Sequence, residues 1–378
     1  MSRKEDNAWA WKMSAKIKEK LHATAERNRH KIPYIATDGV YDDWSGDCID
    51  WWTNGFWGGI LWQLYQTTHD PMYRNIAREN EKKLDAVLLN YESMDHDSGF
   101  RWLPTAVADY RVTGSQEARN RGLLAATNLA GRFNLNGQYL RAWNGIGEDG
   151  HQKMGMAIID CLMNLPLLYW ASEETGDPRF RQIAEAHAHT AMKHFVREDG
   201  SVKHIICFDP VTGAYKGSVG GQGMERGSSW TRGQSWALYG FVLSYRHTGR
   251  EEYLDIAEKI AEYCISQIPE SGLIPVDFCQ PKDVDYQDDI AAAVLACGFL
   301  ELGQITESWK KERYHETAMK LLHTLAEKSS DWDPEHDNIL QNCTAAYHDA
   351  RHNFPIVYGD YYFIEAIFKL TGEELFIW

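Results

Sequence analysis

Gly55-Phe56-Trp57-Gly58-Gly59-Ile60-Leu61-Trp62-Gln63-Leu64-Tyr65, then Thr68-His69-Asp70-Pro71, then a charged stretch from Tyr73, is the passage that decides the fold. The first segment is apolar nearly all round, so it reads as a buried inner helix. Asp70-Pro71 then supplies an N-cap and a proline at the first position of the next helix. That helix has one charged face and reads as outer. The unit recurs along the chain. Residues 158–171 lead through Thr175-Gly176-Asp177-Pro178 to 180–195, and 234–246 lead through Thr248-Gly249 to 253–268. Residues 290–305 lead to 313–328, and 106–133 contain Thr113-Gly114 and a similar second helix. Residues 361–370, with Thr371-Gly372, read as a last, truncated copy. Glycine after the final helical turn supplies the left-handed cap.

About six hairpins of this kind predict an all-α fold, an (α/α)6 barrel, with an open solenoid of helix pairs as the alternative. Closure is favoured because the inner helices begin with Trp, Asp and Gln, as if lining a shared mouth. No proline-rich or low-complexity linker divides the 378 residues, so 1–378 reads as a single domain, with 1–33 as an N-terminal helical segment. The longest irregular stretch, 208–229, is glycine-rich and reads as a functional loop.

Composition narrows the function. A net charge of −15 argues against nucleic acid or an anionic membrane as the main partner. Fifteen Trp and nineteen Tyr are many, and several Trp sit beside Gly, Thr, Asn and Arg rather than in apolar runs. Such aromatics can serve as platforms for sugar rings, as well as core and interface residues. The seven cysteines are odd in number and widely spaced, without C-x-x-C, which fits reduced thiols and a cytoplasmic location. The start of the chain lacks an apolar run of signal-peptide length, and no run reaches bilayer-spanning length.

Two acids stand out. Asp160 lies in Met156-Ala157-Ile158-Ile159-Asp160-Cys161-Leu162-Met163-Asn164, which otherwise reads as buried helix. A carboxylate there costs several kcal/mol unless it keeps its proton, and a carboxyl group protonated near neutrality is a general acid. The competing reading is a satisfied structural acid, capping a helix or paired with a buried Arg. Asn164, one turn on, is placed to share a hydrogen bond with it. Asp97 lies in His96-Asp97-Ser98-Gly99-Phe100, where turn formation is the alternative role.

Aromatic and polar residues also cluster before inner helices, in Trp51-Trp52-Thr53-Asn54-Gly55, Trp230-Thr231-Arg232-Gly233-Gln234-Ser235-Trp236 and Tyr358-Gly359-Asp360-Tyr361-Tyr362. In a toroid all three would meet at one end of the cavity. His187, His189 and His194 share a helix, but their spacings put no pair on one face. No metal and no cofactor are expected.

The segments around His96-Asp97, Ile158–Leu167, Trp230–Gln234 and Tyr358–Tyr362 resemble those of the unsaturated glucuronyl hydrolases of glycoside hydrolase family 88, in the same order, from about Trp51 onward. The resemblance implies an (α/α)6 barrel that takes oligosaccharides released by polysaccharide lyases. It implies removal of a terminal 4,5-unsaturated glucuronic acid by hydration of the enol ether. By motif, Asp160 is the acid/base and Asp97 its partner. Trp52, Trp230 and Trp236 fit substrate stacking. His96, His204, Gln222 and Arg232 fit contacts to the carboxylate and hydroxyls. Gly221 departs from a histidine present in some members, and the Ser- and Lys-containing motif of members that accept sulfated disaccharides is not evident in 348–355. The expected partner is therefore an unsaturated uronic-acid oligosaccharide, with the protein a monomer or homodimer. The alternatives are an unsaturated rhamnogalacturonyl hydrolase, an inverting glycosidase with carboxyl groups roughly 6.5–9.5 Å apart, and a non-catalytic sugar-binding protein.

Overall fold

The computed structural model describes residues 3–145, 153–306 and 309–378. Its helices form two concentric rings. The inner ring comprises α2 (Phe56–Thr68), a bent run made of α4 (Ser98–Trp102), a π-helical turn (Leu103–Val107) and α5 (Ala108–Thr113), then α7 (Leu165–Thr175), α9 (Thr231–Thr248), α11 (Asp289–Ile305) and α13 (Val357–Thr371). Each packs on the next, and α13 packs back on α2, so the ring is closed. The solenoid alternative is thereby excluded.

The outer helices are α3 (Pro71–Leu88), α6 (Gln116–Ala130), α8 (Pro178–His194), α10 (Glu251–Gln267), α12 (Trp309–Thr324) and α1 (Arg3–Arg27). The sixth copy is complete rather than truncated: its outer helix is α1, which packs on α13 from the other end of the chain. Ser14 Oγ donates to Glu373 Oε2 at 2.6 Å, and Arg27 Nε to Asp337 Oδ1 at 2.9 Å, tying α1 to C-terminal segments. A circular arrangement requires one pairing between distant parts of the chain, which a search for neighbouring repeats overlooks.

The capping chemistry is as expected. Asp70 and Asp177 accept from the amides of Met72 and Arg179 at 2.9 and 3.0 Å. Gly114, Gly176, Gly249 and Gly372 are all left-handed after their helices, as is His69 after α2. Among the described residues, no helix is long and apolar enough to cross a membrane.

Short strands decorate the barrel: hairpins β1 (Ala36–Thr37) with β2 (Val40–Tyr41) and β3 (Phe133–Asn134) with β4 (Tyr139–Leu140). A three-stranded antiparallel sheet follows, made of β5 (Met156–Ile158), β6 (Ile205–Phe208) and β7 (Tyr215–Val219). This sheet corrects two readings. Asp160 is not inside an α-helix but in a 3-10 turn, Ile159–Met163, between β5 and α7. The loop 208–229 is not wholly irregular, since β7 lies within it. The run 156–163 is buried throughout, so its apolar pattern does not separate strand from helix.

Candidate active site

Asp160 is placed by a strand edge. β5 pairs with β6, and the Ile159 amide donates to the His204 carbonyl at 3.0 Å, setting Asp160 beside His204. The turn that follows ends at Asn164, directly before α7. Asp97 reaches the same place from α4. Gly99 lets α4 approach, since a Cβ there would lie 2.5 Å from Asn164 Cα. The Phe100 amide then donates to Asn164 Oδ1 at 2.8 Å. Asn164 Nδ2 faces Asp97 Oδ1 at 3.5 Å and the Asp160 carbonyl at 3.3 Å.

Both acids border one cavity of about 410 Å³, which Trp51, Trp52, Trp143, His96, Ile158 and Gln222 also line. That is within the size range of small-molecule sites. Asp50, Glu92, Ser93 and Asp95 also line it, and among the described residues no Lys or Arg does.

The electrostatics favour protonated acids. Burial raises the Asp160 pKa to about 7, opposed by the Arg232 charge and by the Trp236 indole N–H at the margin of hydrogen-bonding range. Burial also pushes Asp97 well up, reinforced by Asp95 and Asp160 and opposed by Arg101 and Asn164. His96 Nε2 lies 3.2 Å from Asp97 Oδ2, and burial with Arg132 and Arg101 nearby holds His96 neutral. His204 is likewise depressed to about 3, first by burial and then by Arg232 and His96. Asp160 Oδ2 is buried without a hydrogen-bond partner. Buried polar atoms are ordinarily paired, so this one marks Asp160 as a functional-site candidate rather than a satisfied structural acid.

The structure separates the three tryptophans expected at the site. Trp52 is half-buried at the cavity wall, with its ring 4.8 Å from Tyr358 and 5.4 Å from Phe100. Trp236, expected as a stacking platform, is fully buried behind Phe100 and Tyr362. Trp230 is also buried, packed against the His204 ring at 4.2 Å and the Arg232 guanidinium at 4.6 Å. Arg232, expected to meet a carboxylate, is fully buried and engaged: Nη1 donates to Asp288 Oδ2 at 2.6 Å and to the Thr344 carbonyl at 2.7 Å, and Nη2 to the Ala345 carbonyl at 2.5 Å. These three residues support the site from behind rather than facing the cavity.

Gln222 faces the cavity and is held by Nε2 donation to the Ala345 carbonyl at 3.0 Å. The sequence reading missed Trp143, whose ring meets His96 edge-on at 5.9 Å, and Asp95, which accepts from Arg101 Nη2 at 2.6 Å. Trp143 carried a signal, since it lies between Arg141 and Asn144-Gly145 rather than in an apolar run.

Comparison with known proteins agrees with this architecture. The family model for glycosyl hydrolase family 88 matches residues 13–369. The unsaturated glucuronyl hydrolase of Bacillus sp. (strain GL1) is 37% identical over 92% of this chain and 93% of its own length. The unsaturated chondroitin disaccharide hydrolase of Streptococcus pneumoniae is 33% identical over 86% of this chain and 83% of its own. The crystal structure of the Bacillus sp. GL1 unsaturated glucuronyl hydrolase superposes with a TM-score of 0.88 at 32% identity, covering 95% of this chain and 96% of that one. With a closed (α/α)6 barrel, two buried acids at its mouth and a family match over nearly its whole length, the chain belongs to glycosyl hydrolase family 88.

Proposed function

We propose that this enzyme removes a 4,5-unsaturated glucuronic acid from the non-reducing end of lyase-generated, glycosaminoglycan-type oligosaccharides by hydrating the enol ether double bond. The observation that carries the reading is Asp160: buried, with one oxygen unpartnered and a pKa raised to about 7 at the edge of a ring-sized cavity. Asp160 delivers its proton to C4, and water adds to C5 as the carboxylate takes up a proton from it. The C5 hemiketal opens, and the resulting hemiacetal at C1 releases the next sugar with its hydroxyl intact. Asp97, kept protonated by burial and by its neighbouring acids, hydrogen-bonds the bound uronate. Trp52 and Trp143 flank the sugar, and His96 and Gln222 contact its polar groups.

A purely sugar-binding role gives no reason to bury an unpartnered carboxyl group. The single domain 1–378 supplies all of these groups. The odd count of seven cysteines, four of them buried, supports action in a reducing compartment, the cytoplasm. The test is ultraviolet absorbance of unsaturated chondroitin or hyaluronan disaccharides, since hydration destroys the conjugated C4=C5 carboxylate. Loss of absorbance with wild type and none with Asp160→Asn supports the reading. Wild-type inactivity on every unsaturated glucuronyl substrate, with activity on rhamnogalacturonan fragments instead, would overturn it.

A further inference from the structure

Two polar atoms face each other beside the cavity that Asp160 lines, with no protein partner. Asp160 Oδ2 and His204 Nε2 are both buried without a hydrogen bond and stand 3.7 Å apart, too far to bond directly. The other ring nitrogen, His204 Nδ1, accepts from the Gln222 amide at 2.9 Å. A backbone N–H can only donate, so Nδ1 is the acceptor and a neutral ring carries its hydrogen on Nε2. The ring is packed against Trp230, with centroids 4.2 Å apart.

The amide reaches the ring only because residue 221 is glycine. A Cβ there would lie 2.0 Å from His204 Nδ1 and 2.5 Å from Cε1. The requirement is one of space, since Gly221 is not in the left-handed region. Gln222 is itself anchored, its carbonyl accepting from the Tyr347 amide at 2.8 Å and its side chain donating to Ala345.

We propose that Gly221 is a positioning residue: its missing side chain lets the Gln222 amide lock His204 in the Nε2–H tautomer, so that this N–H donates to one oxygen of the bound uronate while neighbouring Asp160 keeps its proton for C4. The proposal rests on Asp160 acting as the acid/base of the reaction above. A larger residue at 221 displaces the amide, frees the tautomer, and lets the Nε2 lone pair turn toward that oxygen.

The first experiment is nitrogen NMR of ring-labelled wild-type enzyme. The expected signature is a single His204 tautomer, protonated at Nε2 and unprotonated at Nδ1. A proton on Nδ1 would overturn the proposal whether or not any substrate is turned over. The second is a double-mutant cycle. Gly221→Ala alone should lower kcat/KM about 10- to 100-fold. In a His204→Ala background the same change should cost less than about twofold, because the clash has gone. Additive losses would mean that Gly221 acts through general packing and would sink the idea. His204→Gln, which returns an N–H near the Nε2 position, should keep more activity than His204→Asn, and the reverse order would also count against it. Wild-type inactivity on all unsaturated disaccharides would instead defeat the proposed function, leaving the tautomer measurement to judge the positioning claim.

Discussion

Asn164 Nδ2 lies 3.5 Å from Asp97 Oδ1, while its own side-chain oxygen accepts from the Phe100 amide at 2.8 Å. One side chain thus fixes the start of α4 against the turn that carries Asp160. Asn164→Ala should leave the buried Phe100 amide unpaired and cost about 1–3 kcal/mol of stability. Turnover should fall more than KM rises, because the acids lose their common frame. Thermal unfolding together with steady-state kinetics checks both parts, and unchanged kcat would separate Asn164 from the chemistry.

Asp160→Asn should abolish catalysis by about 10²- to 10⁴-fold, the usual worth of a general acid. Its effect on stability should have the opposite sign. The folded pKa of Asp160 is raised to about 7, whereas an unfolded Asp titrates near 3.9. Between those values the unfolded chain loses its proton first, so wild-type stability falls as pH rises through this window. Asn carries no such penalty. The variant should match the wild type near about pH 4 and exceed it near about pH 8, by on the order of a few kcal/mol at most. Denaturant melts at the two pH values decide this.

The same pKa predicts the pH dependence of the reaction. A rate that needs protonated Asp160 should decline as pH rises through about 7. A kcat profile flat to well above that value would mean that Asp160 does not deliver a proton in the rate-limiting step.

Arg232→Ala should be strongly destabilising, by about 3–5 kcal/mol, since it strands buried Asp288 and releases the carbonyls of Thr344 and Ala345. Arg232→Lys should recover little, because a single ammonium cannot reproduce the forked contacts. Pairing Arg232→Ala with Asp288→Asn should restore part of the melting temperature, which calorimetry would show.

Trp52→Ala should act mainly on substrate affinity, raising KM by about 5- to 10-fold, equivalent to about 1 kcal/mol of lost ring contact. Trp236→Ala should instead lower the melting temperature, because that side chain is fully buried. Equal and purely kinetic effects of the two changes would contradict the assignment of Trp52 to the cavity wall and Trp236 to its backing.

Much of this was legible in the chain because it is local chemistry. Asp70-Pro71 and Asp177-Pro178 announce helix starts, Gly176 and Gly249 announce helix ends, and the all-round apolarity of 290–305 announces an inner helix. The acid in 156–163 was conspicuous because burial and charge conflict within a few residues. The strand β5 was not legible, since a buried run of eight residues carries no amphipathic period to read. Which tryptophan faces the cavity was equally hidden, because Trp52 and Trp236 sit in similar aromatic and polar neighbourhoods.

The sequence by itself therefore determined the helical hairpins, their caps and the two acids, all set by side chains within a turn or two of one another. Only the tertiary structure decided that α1 completes the sixth hairpin, that Arg232 spends its charge on Asp288, and that Gly221 gives way to His204. Those contacts join residues from 17 to more than 300 positions apart, and ring closure and packing, rather than any local preference, bring them together.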